Sequence, residues 1–234
     1  MNTPFALFIF IAVMQAGSEH YRYKEVAIPE SCDNITQMTS TLRRQSLWLH
    51  NTMRWAFQNG WYEGEGFPNS SNMSLLNYDC ELEKAAYNIA VLCPNNTDPS
   101  FNYTGSNNFT GFVEAYANTD LLVHFFQKAY WFWHSTRNTT LVGLTPSESN
   151  KAMIPFLQTM VGSMTKLGCA FYPYCNSSDT SLVNTSLLVS YVCQYGEPHL
   201  EVGIPIYTNG TPCSECNSSS TSCVDGVLCN YTMH

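Results

Sequence analysis

The chain has 234 residues, only 12% of them charged and 44% hydrophobic, with a formal net charge of −8. Its ten Lys and Arg stand singly with no basic stretch, which excludes the electrostatic footprint that nucleic acid or an anionic membrane surface requires. Past the first residues no stretch reaches the roughly 18 to 20 consecutive apolar residues of a membrane span, and the length suits one good-sized domain with a small appendage.

At the amino end, Phe5 to Val13 form an unbroken apolar run, and small residues follow at Ala16 and Ser18. That spacing predicts a signal peptide over residues 1–18, cleaved after Ser18, and hence a secreted, extracellular product. A helix is predicted over about 35–59, where Leu42, Leu49, Met53 and Phe57 share a stripe that ends at Gly60, a C-cap residue. Trp61, Tyr62 and Phe67 follow in a Gly-rich loop with Glu63 and Glu65. Exposed aromatics there make partner anchors, so these three are the candidate protein-binding residues. Leu82, Ala85, Ala86, Ile89, Ala90 and Cys93 recur at helical spacing behind an N-cap at Asp79. A third helix is predicted over about 111–136 through Leu121, Leu122, Phe125, Phe126, Ala129 and Phe132. From Lys166 the texture changes, and Leu167–Phe171, Leu187–Cys193 and Gly203–Tyr207 read as strands. Helices first and strands later predict an α+β fold with helix and sheet sharing one core. The division expected is a main domain over 19–212 and a cysteine-rich tail over 213–234, poor in apolar residues and held by its own bridges.

The mature chain holds ten cysteines, at 32, 80, 93, 169, 175, 193, 213, 216, 223 and 229, and an even count after a leader reads as five disulfides. Each bridge typically contributes about 2 to 4 kcal/mol. Cys213, Cys216, Cys223 and Cys229 could also be drawn as a four-thiolate zinc site, but an oxidising compartment favours disulfides. Twelve Asn-x-Ser/Thr sequons, at Asn34, Asn69, Asn72, Asn95, Asn102, Asn108, Asn138, Asn176, Asn184, Asn209, Asn217 and Asn230, predict a heavily glycosylated surface. A glycan must face water, so the run from Asn95 to Asn108 is expected to lie outside the core.

Leu49-His50-Asn51-Thr52-Met53-Arg54 carries H-N-x-x-R, and Ser71-Asn72-Met73 precedes Leu76-Asn77-Tyr78-Asp79-Cys80-Glu81-Leu82-Glu83. Lys166-Leu167-Gly168-Cys169-Ala170, Val192-Cys193-Gln194-Tyr195, Ile206-Tyr207 and Gly210-Thr211-Pro212-Cys213-x-x-Cys216 come after them. In this order, over about residues 30 to 230, these words resemble the CAP superfamily (SCP/TAPS), in its nematode activation-associated or venom-allergen-like branch. The Tyr78-Asp79-Cys80 block and Ser106-Asn107-Asn108 are nearest to its hookworm neutrophil-inhibitory members. The resemblance implies an α-β-α sandwich with a cysteine-rich, hinge-like tail. It implies the pairs Cys32–Cys80, Cys93–Cys175, Cys169–Cys193, Cys213–Cys223 and Cys216–Cys229, which the spacing alone cannot choose.

The family's usual cleft holds two His and two Glu able to bind a divalent cation. Here Pro155 stands where one His would be, Ser106 replaces a Glu in Gly105-Ser106-Asn107, and His134 replaces the other Glu in Trp131-Phe132-Trp133-His134. The remaining His has no counterpart between Pro94 and Ser100. No metal, cofactor or catalytic set is therefore expected. His124 and His134 are ten residues apart, about 80° round a helix and nearly three turns along it, too far to share an ion. His50 and His134 read as structural, each lacking a convergent partner, and the aromatics around Trp131 and Trp133 read as core. The resemblance implies a non-enzymatic effector that binds a host cell-surface or secreted protein, an integrin among the candidates. Carriage of a sterol or fatty acid is the alternative, with Phe101, Tyr103, Phe109 and Phe112 as candidate lipid-binding residues.

Overall fold

The computed structural model describes residues 26, 28–32, 36–62, 66–95, 105–114, 118–137, 144–175, 186–216 and 221–231. The predicted leader, Glu63, Glu65, Phe101, Tyr103 and the sequons at Asn34, Asn102, Asn138, Asn176, Asn184 and Asn217 lie outside the described residues. In chain order the elements are α1 (Ser40–Gln58), β1 (Asn77–Tyr78), α2 (Cys80–Ala90), β2 (Ser106–Glu114), α3 (Thr119–Ser135), a 3-10 turn over Glu148–Met153 leading into α4 (Ile154–Thr159), β3 (Lys166–Cys175), β4 (Ser186–Tyr195), β5 (Thr221–Val224) and β6 (Leu228–Tyr231).

Local chemistry sets most helix starts. Thr39 caps α1 by accepting from Leu42 N at 3.3 Å, so the helix begins at Ser40 and not near residue 35 as predicted. Asp79 caps α2, its Oδ1 accepting from Glu81 N and Leu82 N. Asn118 caps α3 by accepting from Leu121 N. Upstream of that cap the predicted helix gives way to strand, because 106–114 pairs along its whole length with β4, from Ser106 opposite Gln194 to Glu114 opposite Ser186. Nine residues of continuous ladder override a local apolar period. Gly203–Tyr207 is not a strand either, since its amides turn onto the 144–146 segment through Gly203 N to Pro146 O and Ile206 N to Leu144 O.

The sheet order is β1-β3-β4-β2, with β1 parallel to β3 and the other neighbours antiparallel. One face packs against α1, α3 and α4 around Phe57, Phe126, Trp133, Phe156 and Tyr191. The other packs against α2 through Ala86, Ile89, Ala90, Ala170 and Val192. The fold is thus the α-β-α sandwich that the resemblance implies. Gly168 sets the spacing of the second layer, because a Cβ there would come within 2.1 Å of Glu83 N and 2.4 Å of the Leu82 carbonyl carbon. At the sheet edge a bidentate pair ties α1 to α2: Arg43 Nε to Glu83 Oε2 at 2.7 Å and Nη2 to Oε1 at 2.9 Å. Thr36 and the Tyr78 hydroxyl satisfy the remaining acceptor positions of that carboxylate.

Disulfides join Cys32 to Cys80, Cys93 to Cys175, Cys169 to Cys193, Cys213 to Cys223 and Cys216 to Cys229. The tail is not held by its bridges alone. Leu228 and Cys229 are fully buried, Cys229 N donates to Met73 O at 2.8 Å, and Leu75 N donates to Cys229 O at 2.8 Å. The β5–β6 hairpin therefore closes the sandwich core from below α1, where Gln58 Nε2 donates to Val227 O. No helix among the described residues is long and apolar enough to cross a membrane.

Replacing Gly168 by Ala should lower unfolding free energy by about 3 kcal/mol or more, as overpacking against a backbone that cannot rotate away. Denaturant titration checks this, and a loss under about 1 kcal/mol would mean that α2 slides freely on β3.

Candidate functional site

The polar side of α1 turns inward. His50, Asn51, Arg54 and Gln58 are all buried, and the last three each bind a stretch of backbone outside the helix. Asn51 donates from Nδ2 to Leu76 O at 3.0 Å and accepts Leu76 N at 2.8 Å. Gln58 does the same for Ser70, at 2.7 and 2.8 Å. Arg54 lies within hydrogen-bond distance of five carbonyl oxygens: Ser74 at 2.8 Å, Thr159 at 2.9 Å, Val161 and Gly162 at 3.0 Å, and Met164 at 3.4 Å. Burial pulls its guanidinium down to about 10, against the favourable fields of Tyr130 and Tyr195, so it stays charged at neutral pH.

Beside it His50 gives its Nδ1 proton to Ser46 O at 2.8 Å, as only a donor can face a carbonyl. Nε2 is then the acceptor for Tyr195 OH at 2.9 Å. The same hydroxyl accepts from Asn107 Nδ2 at 3.0 Å, and Asn107 also donates to Pro155 O at 2.8 Å. Burial, with Arg54 nearby, pushes His50 down to about 3. His134 meets Tyr130 OH through Nε2 at 2.9 Å, while its Nδ1 is buried with no partner among the described residues. Burial, and next the charge of Arg137, drive it well below the usual imidazole range. Both imidazoles are neutral struts within the core.

The family-type cation set does not assemble. Pro155 contributes a carbonyl, already taken by Asn107, and no side-chain ligand. His134 packs among the rings of Tyr130, Tyr62 and Phe156, at 4.7, 6.2 and 5.2 Å. Among the described residues only Cys213, Cys216 and Cys229 cluster as metal-type donors, and their sulfurs are consumed in disulfides. The described residues at these positions do not fit a metal ion. Ser106 instead borders an open cleft of about 240 Å³, whose other walls are the 146–154 segment, Gln158, Leu200 and Val202.

The proposed aromatic anchors divide. Trp61 is 44% exposed, whereas Tyr62 and Phe67 are buried, correcting the expectation of an exposed trio. After Gly60 the chain folds back, Trp61 N bonding Ala56 O and Phe67 N bonding Tyr62 O. That return sets Tyr62 and Phe67 against Phe57 at 5.5 and 5.9 Å and Phe67 against Phe156 at 5.3 Å. Of the lipid candidates, Phe109 is spent in the core against Phe125 and Phe132, while Phe112 is 43% exposed. The 95–108 run is not wholly outside the core, because β2 buries Asn107 and Phe109 and places Asn108 in register with Val192. Asn95 and Asn209 are exposed; Asn69, Asn72, Asn108 and Asn230 are half-buried. The Asn72 Oδ1 is occupied by Ser70 Oγ and Thr208 N. Sequence reasoning passed over Asn107, Tyr195 and Gln158, although Tyr195 closes the Val192-Cys193-Gln194-Tyr195 word.

Because His50 and His134 stay neutral in the fold but titrate near 6.5 when unfolded, the unfolded chain takes up protons that the folded chain refuses. Stability is therefore full above pH about 6.5 and falls as pH drops below it, by up to about 1.4 kcal/mol per pH unit for each histidine. Denaturation midpoints between pH 7 and 4.5 should show this slope, reduced by one proton in His134→Gln. A slope unchanged in that variant would contradict the buried neutral imidazole.

A sequence model of the cysteine-rich secretory protein family (CAP) matches residues 47–195. Ancylostoma secreted protein of Ancylostoma caninum is 27% identical over 225 residues, covering 87% of this chain and 48% of that protein, so the chain spans about half of its length. Hookworm platelet inhibitor 1, also of Ancylostoma caninum, is 27% identical over 199 residues, covering 85% of this chain and 83% of that one. The crystal structure of hookworm platelet inhibitor shares the fold at TM-score 0.62 and 24% identity, over 88% of this chain and 100% of that one. BmVAL-1 does so at TM-score 0.67 and 20% identity, over 87% and 100%. With the family match covering more than half of the residues, the chain belongs to the cysteine-rich secretory protein (CAP) family.

Proposed function

We propose that the chain is a secreted, non-enzymatic CAP effector of a parasitic nematode that acts by binding a host cell-surface or secreted protein, with immune or haemostatic cells as its targets. The observation that carries this reading is the use of the polar interior. His50 is bound to Ser46 O and Tyr195, Asn107 to Tyr195 and Pro155 O, and His134 to Tyr130, while Pro155 supplies no side-chain ligand. Catalysis needs a nucleophile, a base and an orienting group converging on one open point, and the buried His50 and His134 meet none of these conditions. Five disulfides suit an oxidising extracellular compartment. A relative of similar length is named for platelet inhibition, which favours a host-protein target, and an integrin is the first class to try.

Lipid carriage is the second reading, favoured by Phe112, which stands exposed on the edge strand opposite Leu188. Surface plasmon resonance of the glycosylated protein against leukocyte and platelet integrin ectodomains, with native mass spectrometry after cholesterol or palmitate exposure, separates the two. The effector reading expects saturable binding with Kd below about 1 μM, in the range of specific complexes, and lipid-free protein. Stoichiometric lipid with no saturable binding to intact leukocytes or platelets would replace it by the carrier.

A further inference from the structure

The cleft beside Ser106 has its own chemistry, independent of the effector role. Two amide donors of its lining lack an oxygen acceptor among the described residues. Gln158 is 2% exposed, and its Oε1 accepts Leu200 N at 3.3 Å, which fixes the amide orientation and leaves Nε2 buried without a partner among the described residues. In Asn150, Oδ1 is committed to Ser147 N at 2.9 Å and Ser147 Oγ at 2.7 Å, while Nδ2 meets only the soft Met153 sulfur at 3.7 Å. Lys151 completes the set. Its contact with Glu148, at 2.7 Å between side chains 68% and 72% exposed, is a surface pair of small net worth that leaves the ammonium free to swing. An unmet buried amide donor is unfavourable, and an acceptor that reaches it recovers that loss.

The remaining walls are apolar. Pro146, Ile154, Leu200 and Val202 line the cleft, with Ile154 38% and Val202 53% exposed. We propose that this cleft binds a small organic carboxylate, the head group accepting from Gln158 and Lys151 and a short alkyl body lying on Ile154, Leu200 and Val202. One flexible lysine and amide donors suit a single negative charge, and the apolar walls disfavour a phosphate. The volume of about 240 Å³ suits a short acid, separating this site from the lipid reading centred on Phe112. The chain's net charge of −8 repels anions at long range, so the selectivity has to come from contact donors.

Isothermal titration of the full glycosylated chain with hexanoate, hexanol and hexylamine tests this. Hexanoate should bind 1:1 and at least tenfold tighter than hexanol, with hexylamine silent. Lys151→Met should weaken hexanoate at least fivefold at unchanged Tm, and Glu148→Gln, which frees the ammonium, should strengthen it. Both positions are exposed, so neither variant endangers the fold. Equal binding of hexanol and hexanoate, or affinity indifferent to Lys151→Met, would overturn the proposal and leave the host-protein reading untouched.

Discussion

A fully buried guanidinium with no carboxylate partner among the described residues holds this fold in its arrangement. Moving a charge into a low-dielectric interior is unfavourable by many kcal/mol unless dipoles replace water, and Arg54 obtains them from five backbone carbonyls. Those carbonyls belong to two separate segments, one at Ser74 and one running from Thr159 to Met164. The segments also meet each other directly, Ser74 N donating to Gly162 O at 2.7 Å. One side chain on α1 thereby gathers the approach to β1, the exit of α4 and the entry to β3. Asn51 and Gln58 repeat the device one turn either way, and through Val227 the last of them reaches the tail hairpin.

This arrangement decides what the interior can do. Asn51, Arg54 and Gln58 spend their donors on backbone, and His50, Asn107 and Tyr195 form a closed relay from Ser46 O to Pro155 O. Outside it, Trp61 and Phe112 remain exposed, and the cleft at Ser106 is lined by Gln158, whose Nε2 has no partner among the described residues.

What was legible in the sequence was local. Asp79 before an apolar period gave a helix start, because capping and periodicity lie within four residues of each other. The strand over 106–114 was not legible. Ser106-Asn107-Asn108 followed by Gly111 has weak strand propensity, and its conformation comes from pairing with residues about 80 positions away. The inward turn of Tyr62 and Phe67 was hidden for the same reason, since a Gly-rich loop suggests exposure while the deciding contact is Phe156. The Arg54 word could be seen, but partners 105 to 110 residues distant could not. The cysteine count implied bridges; their pairing came from resemblance, since ten cysteines allow many connectivities.

The carbonyl clamp is tested most directly by amide hydrogen exchange on Arg54→Lys, which keeps the charge but cannot span both segments. Ser74, Gly162 and Met164 should lose protection together, while the α2 amides from Lys84 to Ala90 keep theirs. Protection at Ser74 and Gly162 equal to that of the parent protein would show that the two segments are held without the guanidinium, and the account built on it would fall.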